Sequence, residues 1–339
     1  MDVSLYFQPF LVSFSVVVVL LLLLREMLTY ATRFALCRTL PVRRFGGGAV
    51  IIAFLLAIFL NPQLIVTPVI AGMIVGSGAI LLFGIWDDVV TFGWKVQLIF
   101  QLFLGVLLFV SGMRIFSLPM PFVGQVFVNT LPGGVMIGCI VLILWIVFVM
   151  NVLNWVDGID GLLPSIATLA FLALLFLSIS PQVNQPPLGI LSVALAGAVL
   201  GLLLFNMPPS RFFAGTSGSF FIGFSLASLS VLSGAKIATA ILVLSLPILD
   251  ALWVFTERLQ LGLSPFHGGD SRHLHYRLRE IGWSDRHIVA GYTIYTGIVG
   301  VIALSMGSLG KTVALLFLGT IITVFLFWVR KKALSMCHV

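Results

Sequence analysis

The stretch AGMIVGSGAILLFGIWDDVVTFGWKVQLIFQLF, residues 71–103, decides the class of this protein. A long apolar run leads to two adjacent carboxylates, Asp87 and Asp88, and the apolar pattern resumes a few residues later. Two neighbouring negative charges at the end of a membrane span are costly unless a cation uses them. The pair is therefore a candidate functional site, and the stretch predicts a membrane protein.

The composition extends this prediction to the whole chain. Of the 339 residues, 60% are hydrophobic and 9% are charged, which excludes an ordinary soluble domain. The first apolar run, from about Ser4 to Leu24, has neither a basic segment before it nor a small-residue cleavage site. It is predicted to be a retained helix rather than a signal peptide. An uncleaved signal anchor with no role in the fold is the alternative.

The fold class follows from counting apolar segments, because a helix crosses the hydrocarbon core in about 20 residues. The chain 1–339 is predicted to be one all-α domain, a polytopic integral membrane protein without linker or internal repeat. Eleven transmembrane helices are expected, at about 4–24, 49–61, 65–85, 95–113, 134–153, 162–180, 188–206, 219–234, 237–256, 288–306 and 311–329.

The basic residues set the orientation. With eleven spans, 15 of the 18 Lys and Arg residues fall on one side, and only Arg114, Lys236 and Lys311 fall on the other. Basic residues favour the cytoplasmic side, so the N-terminus is expected outside and the C-terminus in the cytoplasm. The loops predicted to form a cytoplasmic active site are 25–48, 86–95, 151–161, 207–218 and 257–287.

Ten of the eleven acidic residues, all except Asp2, lie on or near this cytoplasmic side. Carboxylates from several loops and helix ends thus meet His and Arg side chains at one membrane face. The net charge of +7 is explained by the basic inner loops and anionic lipid headgroups, and nothing indicates nucleic acid. The three cysteines have spacings that fit neither a disulfide framework nor a metal site.

The segment NVLNWVDGIDG, residues 151–161, places Asn151, Asn154, Asp157 and Asp160 at a spacing of three. If the helix continues through the segment, these side chains line one strip of its surface. Such a strip suits a hydrated divalent cation and the polar groups of a substrate. A turn that closes the helix is the alternative.

Two segments are candidate phosphate sites. GTSGS, residues 215–219, opens a predicted span, and backbone amides at a helix N-terminus bind anions; a plain Ser/Thr cap is the alternative. Arg43 and Arg44 precede the glycine run 46–48 and form a weaker candidate.

The loop SPFHGGDSRHLHYRL, residues 264–278, carries His273 and His275 beside Arg272 and Arg277. It lacks the further ligands of a zinc site and fits phosphate oxygens better, with a solvated basic loop as the alternative. Asp250 lies within a predicted span and is expected to face a polar cavity. Glu257, seven residues later, is expected on the same helix face.

Together these strings resemble the polyprenyl-phosphate N-acetylhexosamine-1-phosphate transferases of glycosyltransferase family 4. The matching strings occur in the family's order over nearly the whole chain: PVRRFGG, GIWDDV with Lys95 downstream, NVLNWVDGIDG, FNMPPSRFFAGTSGS, LPILDALWVFTERL and SPFHGGDSRHLHYRL. The last string resembles the branch that uses UDP-N-acetylglucosamine or a related UDP-amino sugar.

The resemblance implies transfer of a HexNAc-1-phosphate, GlcNAc-1-phosphate by preference, from a UDP-amino sugar to undecaprenyl phosphate, with release of UMP. This reaction starts cell-envelope polysaccharide synthesis at the cytoplasmic face of the bacterial inner membrane. The resemblance also implies Mg²⁺, with Mn²⁺ as the alternative ion. Membrane lipids are the expected neighbours of the Phe-rich faces, and a homodimer contact is the alternative. Neither the particular amino sugar nor the downstream polymer follows from the sequence.

The same resemblance implies the roles of individual residues. Asp87 would orient or deprotonate the lipid phosphate. The catalytic group comprises Asp87, Asp88, Asp160 and His273. The substrate-binding group comprises Lys95, Asn151, Asn154, Asp157, Arg211, Ser217, Asp250, Arg272, His275 and Arg44. The metal ligands comprise Asp160, Asp157 and Thr216.

Two positions depart from the family pattern. Thr216 stands where the family's GDxGS-type string has a metal-binding Asp, and Tyr276 stands where a second His commonly follows HLH. A Thr hydroxyl can ligate Mg²⁺, but the site loses one negative charge. The alternatives are therefore a catalytically altered member that binds lipid phosphate or nucleotide and, from a different class, a transporter.

Overall fold

The computed structural model describes residues 4–33, 42–120, 124–181, 183–232, 237–263 and 271–336. Residues 264–270 of the histidine loop lie outside the described residues. The helices are α1 (Ser4–Arg33), α2 (Gly46–Phe59), α3 (Pro68–Val90), α4 (Trp94–Val110), α5 (Gly134–Val156), α6 (Leu162–Ser178), α7 (Pro186–Asn206), α8 (Gly215–Leu232), α9 (Ile237–Val243), α10 (Ser245–Gln260), α11 (Leu274–Glu280), α12 (Asp285–Ser305) and α13 (Ser308–Met336). Between α4 and α5, β1 (Ser117–Met120) pairs antiparallel with β2 (Gly124–Phe127).

The helices confirm a polytopic, almost wholly α-helical membrane protein. Within the described ranges, seven helices are long and apolar enough to cross a membrane, or eight if α9 and α10 form one span. Helices α2, α4 and α6 coincide with predicted spans but have only 14, 17 and 17 residues. At 1.5 Å per residue, α2 is about 21 Å long, short of the hydrocarbon thickness. The count of eleven and the orientation of the termini stay predictions.

The predicted continuous span at 237–256 is wrong. The chain breaks at Leu244 into α9 and α10, which are bent by 77° relative to each other. Apolar composition reports burial or lipid contact, but it does not reveal a change of axis between two apolar segments. The bend directs α10 towards α11, where the described histidines lie.

Helix α8 lies at the centre of the bundle. In its apolar window 83% of the residues are buried, and the value for α7 is 78%, whereas it is 22% for both α1 and α13. Helices α3 and α5 pack against α8, and α1 and α6 pack against α7. The beginning of α8 is therefore surrounded by protein, and the residues there can form a site shielded from lipid.

Local sequence sets both ends of α3. At its start, the Thr67 hydroxyl accepts a hydrogen bond from the amide of Ile70, and Pro68 occupies the first turn, where its missing amide hydrogen costs nothing. At its end, Thr91 adopts a left-handed conformation with φ 55°, and its amide donates to the Asp87 carbonyl at 2.7 Å. The helix thus ends just after Asp87 and Asp88, which lie in its last turns.

A candidate active site at the ends of α3, α5 and α8

The carboxylate pair is buried in the protein. Asp87 is 3% exposed and Asp88 is 7% exposed. The Asp87 carboxylate accepts hydrogen bonds from three neighbours: the amide of Phe92 at 2.9 Å, the Gln97 side chain at 3.1 and 3.2 Å, and the Thr216 hydroxyl at 2.6 Å. Both of its oxygens are therefore held by neutral donors of the protein.

Asp88 lies against the first turn of α8. Its carboxylate accepts from the amide of Thr216 at 2.9 Å and from the Ser217 hydroxyl at 3.4 Å. Gly215 makes this approach possible: its φ is +64°, and a Cβ there would lie 2.6 Å from Asp88 Oδ2. The Thr216 amide of the candidate anion site GTSGS is thus engaged by Asp88 within the protein. The helix also begins at residue 215 rather than 219.

The glycine run after Arg44 serves close backbone packing. A Cβ on Gly47 would lie 2.1 Å from the amide nitrogen of Gly218, and the Gly47 amide donates to the Ala214 carbonyl at 3.1 Å. Contacts this short exclude any side chain. The run brings α2 against the start of α8, and Arg44 just before it reaches the cleft described below.

The Asn/Asp segment is only partly helical. Helix α5 ends at Val156, and Asp157 is its C-terminal cap, so the prediction of one helical strip through Asp160 is wrong. Asn154 lies on the helix and accepts from the Ser219 hydroxyl at 2.8 Å. Asp160 lies in the following turn and accepts from the amide of Ser210 at 2.9 Å. Asn151 donates to Gln101 at 2.6 Å.

These ends enclose a polar cleft of about 330 Å³. The lining residues are Arg44, Asp88, Asn154, Asp157, Phe213, Gly215 and Thr216. Burial raises the pKa of Asp157 well above its usual range, and the charges of Asp88 and Asp160 add to this effect, while Arg44 opposes it. The cleft therefore concentrates negative charge beside a single lining base.

His273 and His275 lie next to the Asp157–Asp160 turn. The His273 ring stacks on Trp155 with centroids 5.8 Å apart, and its Nδ1 is 2.9 Å from Asp250 Oδ2. A carboxylate accepts, so Nδ1 carries the proton in this contact. Asp250 also accepts from the amide of Leu274 at 2.8 Å. Its carboxylate therefore anchors the start of α11, and the expectation that Asp250 faces a polar cavity stays a prediction.

His275 is fully buried, and neither ring nitrogen has a hydrogen-bond partner among the described residues. Burial lowers its pKa to about 4, with His273 and Arg279 adding to this shift and Asp250 opposing it. A Cβ on Gly158 would lie 2.6 Å from His275 Nε2 and 2.5 Å from the Tyr276 hydroxyl. The glycine of the Asp157–Asp160 turn is thus the position against which α11 packs.

Glu257 confirms the predicted helix face shared with Asp250, since both carboxylates contact the same short helix. Glu257 binds Arg277 of α11 at 2.6 Å and Arg330 of α13 at 3.3 Å. Both its side chain and that of Arg277 are buried. Helix α10 therefore holds α11 at two points, and this fixes the histidines relative to the rest of the bundle.

Of the ten predicted substrate-binding residues, Arg44, Asn154 and Asp157 line the cleft, and the other seven, including three basic residues, do not. Lys95 is exposed in the first turn of α4, with its amine 5.8 Å from the Trp94 ring. Arg211 is also exposed, and Arg272 is half-buried beside His273. Their roles in phosphate binding stay predictions.

The sequence interpretation missed Gln97 and Gln101, which lie one helical turn apart on α4. Gln97 contacts Asp87, and Gln101, only 1% exposed, contacts Asn151. A spacing of four in an otherwise apolar helix was the available signal, because buried amides need partners. Asn206 was missed as well: it accepts from the amide of Gly161 at 2.8 Å and donates to the Phe212 carbonyl at 2.7 Å, which ties the Asp157–Asp160 turn to the 207–214 loop.

The donor set fits a divalent cation. Neither Asp87 nor Asp88 makes an ion pair with a Lys or Arg of the described chain, and buried carboxylates normally need a cation. In the same residues, no three His, Cys, Asp or Glu side chains converge as a complete metal site. Mg²⁺ needs fewer protein ligands than such a cluster supplies, because it takes one or two carboxylates and completes its shell with water and substrate phosphates.

Comparison with known proteins shows which proteins this chain resembles. The model of glycosyl transferase family 4 matches residues 70–234. The decaprenyl-phosphate N-acetylglucosaminephosphotransferase of Mycobacterium tuberculosis (strain ATCC 25618 / H37Rv) is 37% identical over 130 residues, 33% of this chain and 32% of the relative. The probable undecaprenyl-phosphate N-acetylglucosaminyl 1-phosphate transferase of Bacillus subtilis (strain 168) is 27% identical over 252 residues, 72% of this chain and 67% of the relative.

A more distant relative shares a similar portion. The phospho-N-acetylmuramoyl-pentapeptide-transferase of Symbiobacterium thermophilum is 30% identical over 113 residues, 33% of this chain and 34% of the relative. The chain spans about a third of the length of the mycobacterial relatives it matches. The family match includes the carboxylate pair, the Asn/Asp segment and the start of α8, which together build the cleft. Over residues 70–234, just under half of its length, this chain is similar to glycosyl transferase family 4.

Proposed function

We propose that this protein transfers N-acetylhexosamine-1-phosphate, with N-acetylglucosamine as the preferred sugar, from a UDP-sugar to undecaprenyl phosphate and releases UMP. The names of the mycobacterial and Bacillus relatives state polyprenyl-phosphate N-acetylglucosamine phosphotransfer, and this supports the substrate class. The observation that carries the proposal is the cleft itself, where Asp88 and Asp157 meet in a polar cavity at the end of apolar helices.

In the proposed reaction, an oxygen of the lipid phosphate attacks the β-phosphorus of the UDP-sugar. A new P–O bond forms there, and the bond from that phosphorus to the bridging oxygen breaks. The bridging oxygen leaves with UMP. A phosphate monoester has a second pKa of about 6 and is largely ionised at neutral pH, so the attacking oxygen needs little help from a base. Positioning and charge neutralisation then supply most of the rate.

The contacts of Asp87 and Asp88 indicate a different role for each carboxylate. Asp87 is surrounded by Phe92, Gln97 and Thr216, so we assign it to positioning the start of α8. Asp88 lines the cleft together with Asp157, and these two are the proposed Mg²⁺ ligands, with the Thr216 hydroxyl beside them. When bound, Mg²⁺ would neutralise the phosphate oxygens around the reacting phosphorus.

The remaining residues are assigned to the nucleotide. Arg44 lines the cleft and is the nearest base for a phosphate oxygen. Asn154 presents its amide in the same lining. Asp250 fixes His273 through the protonated Nδ1. The other ring nitrogen, Nε2, is therefore the one assigned to contact the substrate. Asp160, held by the Ser210 amide, orients the turn rather than the metal in this assignment.

The proposed setting is a bacterial inner membrane, with the cleft facing the cytoplasm and the N-terminus outside. The distribution of basic residues supports this orientation, since 15 of the 18 Lys and Arg fall on the predicted inner side. The apolar ends of the cleft helices would let a polyprenyl tail stay in lipid while its phosphate enters the cavity. A homodimer stays a prediction.

The test is UMP release by the purified full-length protein, with undecaprenyl phosphate, Mg²⁺ and a panel of UDP-amino sugars. We expect turnover with UDP-N-acetylglucosamine that requires both the lipid phosphate and the metal. No turnover with any UDP-amino sugar, in protein that still binds nucleotide, would contradict the transferase and favour a catalytically altered family member. Replacing Mg²⁺ by Mn²⁺ in the same assay tests the alternative ion.

A further inference from the structure

A second cavity lies at the opposite end of the same helices that build the cleft. Its volume is about 320 Å³, close to that of the cleft. Val69 lines it from the start of α3, and Val231 from the end of α8. From Val69 to Asp88 the helix rises by about 28 Å, and from Thr216 to Val231 by about 22 Å. The two cavities are thus separated by roughly the thickness of a hydrocarbon core.

Arg114 is the charged residue of this second cavity. The residue is half-buried, and its Nη1 donates to the carbonyls of Phe109 and Met113 at the end of α4. Taken alone, these two hydrogen bonds are what is expected if Arg114 only caps the end of α4. They leave Nε and Nη2 without a hydrogen bond to the described residues, although a guanidinium offers five donors in a fixed fork.

No acidic side chain of this region can neutralise Arg114. The sequence contains no Asp or Glu between residues 89 and 156 or between residues 161 and 249, and these intervals contribute nearly the whole cavity wall. None of the ion pairs among the described residues includes Arg114. The Phe109 ring, 3.8 Å from the guanidinium carbon, stabilises the cation in part. The ring carries no net charge, however, so an anion supplied from outside would still be bound favourably.

The rest of the wall indicates what carries that anion. Ser117 lines the cavity at 7% exposure, and its hydroxyl has no partner among the described residues. Apart from Arg114, Ser117 and Gly112, the wall is apolar, with Met113, Ile115 and Leu232 among its members. A guanidinium and a hydroxyl beside apolar side chains suit a phosphate that is joined to a hydrocarbon chain.

We propose that this cavity binds the phosphate of an anionic phospholipid from the leaflet opposite the cleft, with Arg114 and Ser117 as its donors. The acyl chain lies along the apolar wall. The site goes beyond the proposed transferase activity, because it is about one bilayer thickness from the cleft and shares no residue with it. Its occupant stabilises the outer ends of α3, α4 and α8.

The test is lipid binding by the purified full-length protein, measured by native mass spectrometry with phosphatidylglycerol and, separately, phosphatidylcholine. We expect Arg114→Gln to weaken phosphatidylglycerol binding about tenfold, as for loss of a charge-assisted phosphate contact. Arg114→Lys should retain part of the affinity, and phosphatidylcholine should bind weakly to all three proteins. Equal phosphatidylglycerol affinity in wild type and Arg114→Gln would overturn the proposal.

A second variant and a competition experiment complete the test. Val231→Phe fills the cavity without touching the Arg114 capping bonds, so it should also abolish tight binding even if Arg114→Gln folds poorly. Inorganic phosphate is the competitor: displacement at concentrations similar to those of the lipid would show a free-phosphate site and contradict the lipid. UMP release is expected to be unchanged in Val231→Phe, which separates this proposal from the proposed transferase.

Discussion

At each end of the α3–α8 pair lies charge that has no ion-pair partner among the described residues, and the sign of that charge is opposite at the two ends. At the cleft end, Asp87 and Asp88 are buried with neutral donors only, and Asp157 lies nearby. At the other end, Arg114 lines a cavity in a part of the chain that contains no acidic residue. In the two proposals above, a metal ion neutralises the carboxylates of the first end and a lipid phosphate neutralises the guanidinium of the second.

The comparison also shows how differently the two ends are built. The cleft end is cross-linked by side chains from several elements: Gln97, Thr216, Ser219 and Asn206 each bond to a neighbouring segment. At the opposite end, Arg114 bonds to the backbone carbonyls of Phe109 and Met113, and its guanidinium lies over the Phe109 ring. A preorganised cleft suits catalysis, whereas the described contacts of Arg114 are all with residues close to it in sequence.

The largest effect is expected from removing one charge at the cleft end. Asp88→Asn should lower UMP release by at least about a thousandfold. The variant loses a proposed ligand of the Mg²⁺ that would neutralise the charge on the reacting phosphate. Steady-state kinetics in detergent would measure this. Asp285→Asn is the matched control, since Asp285 pairs with Arg279 at an exposed site and should be nearly neutral. Failure of Asp88→Asn to insert or fold would favour a structural role instead.

The second-largest effect is expected at Gln97 of α4, and it distinguishes Gln97 from the nearby Lys95. Gln97→Met should lower kcat about ten- to a hundredfold, because it removes a donor that orients Asp87. Lys95→Met should change only KM, and only if the exposed amine contacts a substrate phosphate. Paired kcat and KM values for the two variants are the measurement. A large loss of kcat in Lys95→Met with an unaffected Gln97→Met would reverse this assignment.

A pH effect is expected from His275 beside the cleft. Its pKa is about 4 in the folded protein and about 6.5 when unfolded, so the unfolded chain takes up the proton first as the pH falls. The stabilisation is complete above about pH 7 and shrinks between pH 6.5 and 4, by about 2 kcal/mol at pH 5.

Unfolding in detergent micelles at pH 7.5 and 5 measures this dependence. His275→Gln should reduce it, and His287→Gln should not, because His287 is exposed on α12. An identical pH dependence in wild type and His275→Gln would show that the buried ring does not titrate as stated.

The smallest expected effect concerns the metal. In Thr216→Asp a carboxylate replaces the hydroxyl that donates to Asp87 at 2.6 Å, so like charges meet unless a cation bridges them. We expect the Mg²⁺ concentration for half-maximal activity to fall about tenfold. A titration of UMP release with Mg²⁺ checks this, with Thr216→Val as the neutral comparison. An unchanged Mg²⁺ dependence would place the metal away from residue 216.

Much of the cleft was predictable because charge is rare in this chain. The carboxylate pair, Asn154, Asp157, Thr216 and Arg44 were named from the sequence, and the structure brings them into or against one cavity. The partners were not predictable in the same way. The sequence predicted a polar environment for Asp250, but only the structure shows that its carboxylate binds His273 of the following segment.

The sequence by itself determined the membrane class, the helical segments and the identity of the polar residues, because apolar runs and isolated charges carry those properties locally. Only the tertiary structure decided that α9 and α10 are bent by 77°, that Gln97 rather than Lys95 meets Asp87, and that Asp88 rather than Asp87 lines the cleft. Those features depend on contacts between segments far apart in the chain, and no local pattern encodes which donor reaches which carboxylate.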